Sequence, residues 1–139
     1  MKGLDTNVIV RYLVEDDPRQ VARAVAYIDT HCTADNPCRV NRIVLCELEW
    51  VLSGAYRYSR ALVADVMARI LRTGEFVVED GDDAWIALRQ FRDGNADFAD
   101  CLLARTNLAQ GCEVTATFDR KASPLDGFEL LIAEPGEGS

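Results

Sequence analysis

An acid interrupts the apolar opening of this chain. Leu4-Asp5-Thr6-Asn7 stands directly before Val8-Ile9-Val10, and a carboxylate lodged between apolar neighbours loses hydration on folding unless a cation or hydrogen bonds compensate it. Lys2 to Leu4 reads as a strand, Asp5-Thr6-Asn7 as the turn, and a helix follows through about Val14 with Thr6 or Asn7 as its cap. A strand that begins the chain and gives way at once to helix is expected centrally in an open parallel sheet. Asp5 then lies at the carboxyl end of that strand, where open α/β sheets place their ligands.

The alternation continues. Glu15-Asp16-Asp17-Pro18 is a turn, and Pro18 suits the first position of a second helix running to about Thr30, with Val21, Ala22, Val25, Ala26 and Ile28 as its apolar set. After a polar loop over Thr33 to Pro37 comes a short extended piece, Arg39-Val40, and Asn41 can cap a third helix from Arg42 to about Tyr56. Its apolar stripe is read as Val44, Leu48, Val51, Leu52 and Ala55. Glu47 falls along this stripe and Glu49 points elsewhere.

Ser59 caps a fourth helix, about Arg60 to Arg72, stopped at Gly74. Glu75 to Glu79 is a strand and Asp80 to Phe91 a fifth helix opened by acids. Trp50, Tyr56, Tyr58, Trp85 and Phe91 are expected in the core or at an interface. In Gly94-Asn95-Ala96-Asp97-Phe98-Ala99-Asp100-Cys101, Asp97 and Asp100 are three apart in a helix's first turn and share one face. That helix ends near Gln110-Gly111. Glu113 to Thr117 is a strand followed by Asp119, Phe128 to Ile132 is a last edge strand, and 134–139 is a frayed tail.

At 139 residues the chain suffices for one domain, taken as 1–133, that buries about two thirds of its unfolded surface. It carries no apolar run near the roughly 20 residues of a membrane span, and Met1-Lys2-Gly3-Leu4-Asp5 has no secretion pattern, so the expected location is the cytoplasm with no membrane partner. Five scattered cysteines argue against a disulfide framework. His31, Cys32 and Cys38 lack the fourth ligand and the spacing of a structural zinc site. The net charge of −8 argues against generic polyanion binding. Arg11, Arg42, Arg57, Arg105, Arg120 and Lys121 remain as local phosphate contacts.

Helices between strands imply right-handed crossovers, a parallel sheet and convergence of Asp5, Glu47, Asp100 and Asp119 at its carboxyl edge, with Asp97 adjacent. Two carboxylates about 5 Å apart repel by about 3 kcal/mol at an effective dielectric of 20, so such a cluster takes up protons or holds a cation. All-oxygen ligands select a hard ion, Mg²⁺ with Mn²⁺ as the alternative, and such an ion suits water attacking a phosphodiester.

Leu4-Asp5-Thr6-Asn7-Val8, Leu45-Cys46-Glu47-Leu48, Asp97-Phe98-Ala99-Asp100-Cys101-Leu102 and Thr117-Phe118-Asp119-Arg120 together resemble the PIN-domain ribonucleases, and most closely the VapC-type toxins of prokaryotic toxin–antitoxin pairs. The resemblance spans essentially the whole chain. It implies a three-layer α/β/α fold with a five-stranded parallel sheet and an Mg²⁺ site of Asp5, Glu47, Asp100 and Asp119, with Asp97 at its edge. Thr6, Asn7 and Thr117 match polar positions that orient acids or water. It further implies cleavage of single-stranded RNA, homodimerisation through helices, and inhibition by a small antitoxin. Cys46 and Cys101 replace a commoner alanine beside two of the acids, which makes oxidation sensitivity an expectation. Two other readings compete. One is a PIN scaffold that only binds protein or RNA. The other is a haloacid-dehalogenase-like phosphatase, whose Asp-x-Asp-x-Thr opening is here broken at Asn7 and Ile9. No serine or cysteine nucleophile has a paired base, because His31 lies outside every motif.

Overall fold

Three-residue strands and longer helices make up the chain, and the helices follow the capping residues closely. The structure, a computed structural model, describes residues 1–14 and 17–132. Part of the expected turn at Glu15-Asp16 and the whole expected tail at 134–139 therefore lie outside the described residues. These fall into two compact units, Met1–Trp85 and Ile86–Ser139.

The first unit holds α1 (Thr6–Leu13), α2 (Pro18–His31), β1 (Cys38–Val40), α3 (Arg42–Gly54), α4 (Arg60–Arg72) and β2 (Phe76–Val78). Asp17 caps α2 by accepting from the Arg19 and Gln20 amides, with Pro18 next, so the sequence signal and the helix start coincide. Asn41 Oδ1 accepts from Val44 N at 3.0 Å and Ser59 Oγ from Leu62 N at 3.2 Å, as their positions predict. β1 pairs in parallel with β2, Cys38 to Phe76 through Val40 to Val78. Lys2 to Leu4 contributes a parallel bridge, Gly3 to Arg39, held by Leu4 N donating to Arg39 O and Arg39 N to Lys2 O.

The second unit receives most of α5 (Gly81–Asp93), which straddles the division, and contains α6 (Phe98–Ala109), β3 (Thr115–Thr117) and β4 (Phe128–Leu130). β3 pairs in parallel with β4. α6 ends at Gln110, and Gly111 at φ +94° takes the left-handed position expected after it.

Four expectations change. The described strands form two separate two-stranded parallel sheets in place of one five-stranded sheet between helical layers. With three residues each, they provide few ladder bonds, and Lys2 to Leu4 provides only a bridge. On α2 only Ala24 and Ile28 are buried, while Ala22 and Ala26 are exposed. Alanine is small enough to be indifferent, so the apolar count misplaced the face. On α3 the buried face is Val44, Leu45, Leu48, Glu49 and Leu52; Ala55 is exposed. Finally, Cys32 and Cys38 form a disulfide. α2 ends one residue before Cys32, and the intervening loop folds back through Thr33 N donating to Asn36 O and Asn36 N to Thr33 Oγ1. The two Cα atoms come to 5.0 Å, within bridging range. A cysteine count could not register that proximity.

Because Asn41 opens the helix that carries Glu47, Asn41→Ala is expected to cost about 1 kcal/mol, the usual loss for an N-cap. Chemical denaturation should show a lower midpoint at unchanged slope.

Candidate functional site

Asp5 follows the Gly3 bridge and is itself the cap of α1, its Oδ1 accepting from Thr6 N at 2.7 Å. The cap belongs to the acid rather than to Thr6 or Asn7 because Asp5 is the last residue with extended backbone (φ −83°, ψ 160°). Leu4 and Thr6 are buried while Asp5 between them is exposed. The carboxylate therefore keeps its water, and the loss of hydration inferred from its apolar neighbours does not occur. What distinguishes Asp5 is its position where extended chain becomes helix.

Buried Thr6 joins this acid to a second one. Its Oγ1 donates to Glu47 Oε1 at 3.3 Å, while its amide serves Asp5. Asn7 is exposed. On α3 the two glutamates exchange the roles read from the sequence: Glu47 is exposed, and Glu49, 5% exposed, is buried and accepts from Ser53 Oγ at 3.3 Å. Apolar residues almost encircle this helix, so its periodicity fits two faces. An exposed Glu47 is the one free to meet a ligand.

Cys46, beside Glu47, is half-buried. Burial pushes its thiol above the ordinary value, Glu49 adds to the rise, and Arg42 opposes it. The thiolate is the reactive form, so burial, with Glu49 adding to it, opposes the oxidation sensitivity expected of this cysteine. Alkylation by iodoacetamide at pH 8 should be slower at Cys46 than at exposed Cys112, by about tenfold for each unit of thiol elevation. Peptide mapping after timed quenching would read both rates.

In the second unit Asp97 is the cap residue of α6, yet its side chain makes no cap hydrogen bond. Asp100 lies in the first turn. Asp119 follows β3; its amide donates to Thr117 Oγ1 at 3.0 Å and its Oδ1 accepts from Lys121 N at 2.8 Å. Partial burial pushes the Asp100 carboxyl above its ordinary range, and the charges of Asp97 and then Asp119 push it further. The first unit thus links Asp5 to Glu47 through Thr6, and the second sets Asp97 and Asp119 against Asp100. Among the described residues, no three His, Cys, Asp or Glu side chains form a group ready to hold a metal ion.

These five acids share a further property. Among the described residues none of them has a cationic side-chain partner, whereas Glu79 pairs with Arg39 at 3.9 Å and Arg42 at 3.4 Å, and Asp80 pairs with Arg42. Arg42, one of the arginines read as phosphate contacts, is committed to those pairs. The all-oxygen donors of the five acids suit a hard divalent cation. Zinc loses its imagined ligands, because Cys32 and Cys38 are joined to each other.

Beside Asp5 a cleft of about 650 Å³ opens between α1 and α2, lined among others by Asn7, Arg11, Arg23, Ala24 and Tyr27. Arg23 and Tyr27 were not singled out in the sequence. Their signal is the spacing of Gln20, Arg23, Ala24 and Tyr27 at i, i+3, i+4 and i+7, one face of α2. No helix among the described residues is long and apolar enough to cross a membrane.

No curated protein and no solved structure matches the chain. A family model described as PIN domain matches residues 3–127, a stretch that runs through both units and includes all five acids. The chain belongs to the PIN domain family, whose members are typically nucleases that use divalent metals.

Proposed function

We propose that this PIN domain is a Mg²⁺-dependent endoribonuclease, with Mn²⁺ as an alternative ion, and that it is the toxin of a toxin–antitoxin pair. Asp5, Glu47, Asp100 and Asp119 are the metal-holding and catalytic acids, Asp97 is a further acid beside them, and Thr6, Asn7 and Thr117 orient acids or water. The observation that carries this reading is the contrast in ion pairing. Glu79 and Asp80 are neutralised by arginine, while the five acids proposed here have no cationic partner among the described residues. Leaving like charges uncompensated costs stability, a cost that a bound cation offsets.

When bound, the ion would neutralise the scissile phosphate and supply an activated water. The chain's own part is positional. Thr6 holds Glu47 through its hydroxyl and Asp5 through its amide, and Thr117 fixes the backbone of Asp119. The proposal includes a cytoplasmic homodimer silenced by an antitoxin, and the net charge of −8 suits an antitoxin that inserts a basic side chain among these acids.

The test is cleavage of a labelled pool of structured RNAs by partner-free protein in Mg²⁺, Mn²⁺ or EDTA, beside Asp5→Asn. Cleavage should require metal and fall by more than about 100-fold in the variant, a larger loss than removing an outer-shell partner of a metal ligand causes. Folded protein that binds RNA but never cuts it would favour the non-enzymatic scaffold.

A further inference from the structure

An acidic centre alone repels the strand it must cut, so a nuclease of net charge −8 needs a local cation and a surface that holds a nucleotide beside the acids. The cleft between α1 and α2 supplies both. It measures about 650 Å³, within the range of sites that enclose small ligands, and Asp5 lies on its wall. On the α2 side Arg23 presents a guanidinium that has no hydrogen-bond or ion-pair partner among the described residues. Tyr27 offers a ring 39% exposed, set against His31 with centroids 4.5 Å apart. Ala24 is buried between them in sequence, and its single methyl leaves the floor open. Across the cleft Arg11 is already engaged, donating to Gln20 and, at 2.9 Å, to the Tyr56 hydroxyl. It braces the wall, and Arg23 is the available cation.

We infer that this cleft is a nucleotide subsite, holding the residue of a single-stranded RNA next to the phosphate that is cut. Arg23 pairs with that nucleotide's phosphate, and the Tyr27 ring stacks on its base. A base paired in a duplex cannot reach the ring, so the subsite selects single strands. This inference rests on the nuclease reading above, and the experiment separates the two.

Affinity for a fluorescein-labelled, mixed-sequence single-stranded oligoribonucleotide is measured by anisotropy in Ca²⁺ over a salt series, and kcat and KM in Mg²⁺. The proteins are wild type, Arg23→Gln, Tyr27→Ala and Ala24→Leu, each checked for native circular dichroism. Tyr27→Ala is expected to weaken binding by about 5- to 100-fold, the usual worth of one base–aromatic stack. Arg23→Gln should weaken it and lower the slope of log affinity against log salt by about 0.7, one phosphate's share on a single strand. Ala24→Leu should weaken it by filling the floor. In all three KM should rise with little change in kcat. Cleavage with undiminished affinity in Arg23→Gln and Tyr27→Ala would overturn the subsite and leave the nuclease standing. RNA bound in the cleft but never cut would keep the subsite and defeat the nuclease.

Discussion

Asp100→Asn is expected to remove RNA cleavage and yet make the metal-free protein more stable at neutral pH. Asp100 is held above the ordinary carboxylate range first by partial burial and then by Asp97 and Asp119. A group whose pKa is raised on folding contributes stability that is complete below its unfolded value, near pH 3.9, and is lost as pH rises through the raised value. Above that value the ionised carboxylate is a net cost, which the neutral amide of Asn removes. Thermal denaturation in EDTA should therefore show a higher Tm for the variant at pH 7 and a vanishing difference below about pH 4. Adding Mg²⁺ should reverse the order, because a ligand that binds only the folded state stabilises by mass action and the variant has lost part of the site. Cleavage should fall by more than about 100-fold. A variant less stable than wild type in EDTA at pH 7 would indicate that Asp100 serves the fold.

Phe98→Ala is expected to cost about 3–5 kcal/mol, the usual loss for a buried aromatic. Phe98 is fully buried and meets Phe91 edge-on, with centroids 6.2 Å apart and planes at 84°. It is the first residue of α6, directly after Asp97 and two before Asp100. Whole domains are stable by only about 5–15 kcal/mol, so one such cavity removes a large part of the margin. Urea denaturation should show the loss directly. Phe98→Leu, which keeps most of the volume, should retain more of both stability and cleavage. Trp50→Ala makes a useful contrast: of the two places expected for this ring, core or interface, its 53% exposure rules out the core, and its loss should change the stability of the isolated chain by no more than about 0.5 kcal/mol.

The helices were legible because their signals are local. Asn41, Ser59, Pro18 and Gly111 each act within a few residues of themselves, and each stands where its chemistry requires. Sheet organisation was less legible, since a three-residue strand has no periodicity to read and its partners lie far along the chain. The face of α3 was misread because Val44, Leu45, Leu48, Val51 and Leu52 admit two overlapping stripes. Only packing against the rest of the first unit decides that Glu49 goes inside and Glu47 outside. Asp5 shows the limit of inferring burial from neighbours, for the chain can bury Leu4 and Thr6 and still turn the acid between them to water. The Cys32–Cys38 bond depends on a loop reversal that counting cysteines does not capture. Of the candidate site, the acids are visible as chemistry, whereas Thr6 joining Asp5 to Glu47 and the charge of Asp119 reaching Asp100 arise only when the chain folds.

Calorimetric titration of Mn²⁺ into wild type, Asp5→Asn and Asp119→Asn is the shortest test of the proposed metal ligands. Saturable binding in the wild type, weakened at least about tenfold by either substitution, is the expected result. Saturable binding that neither substitution changes would rule these acids out as ligands.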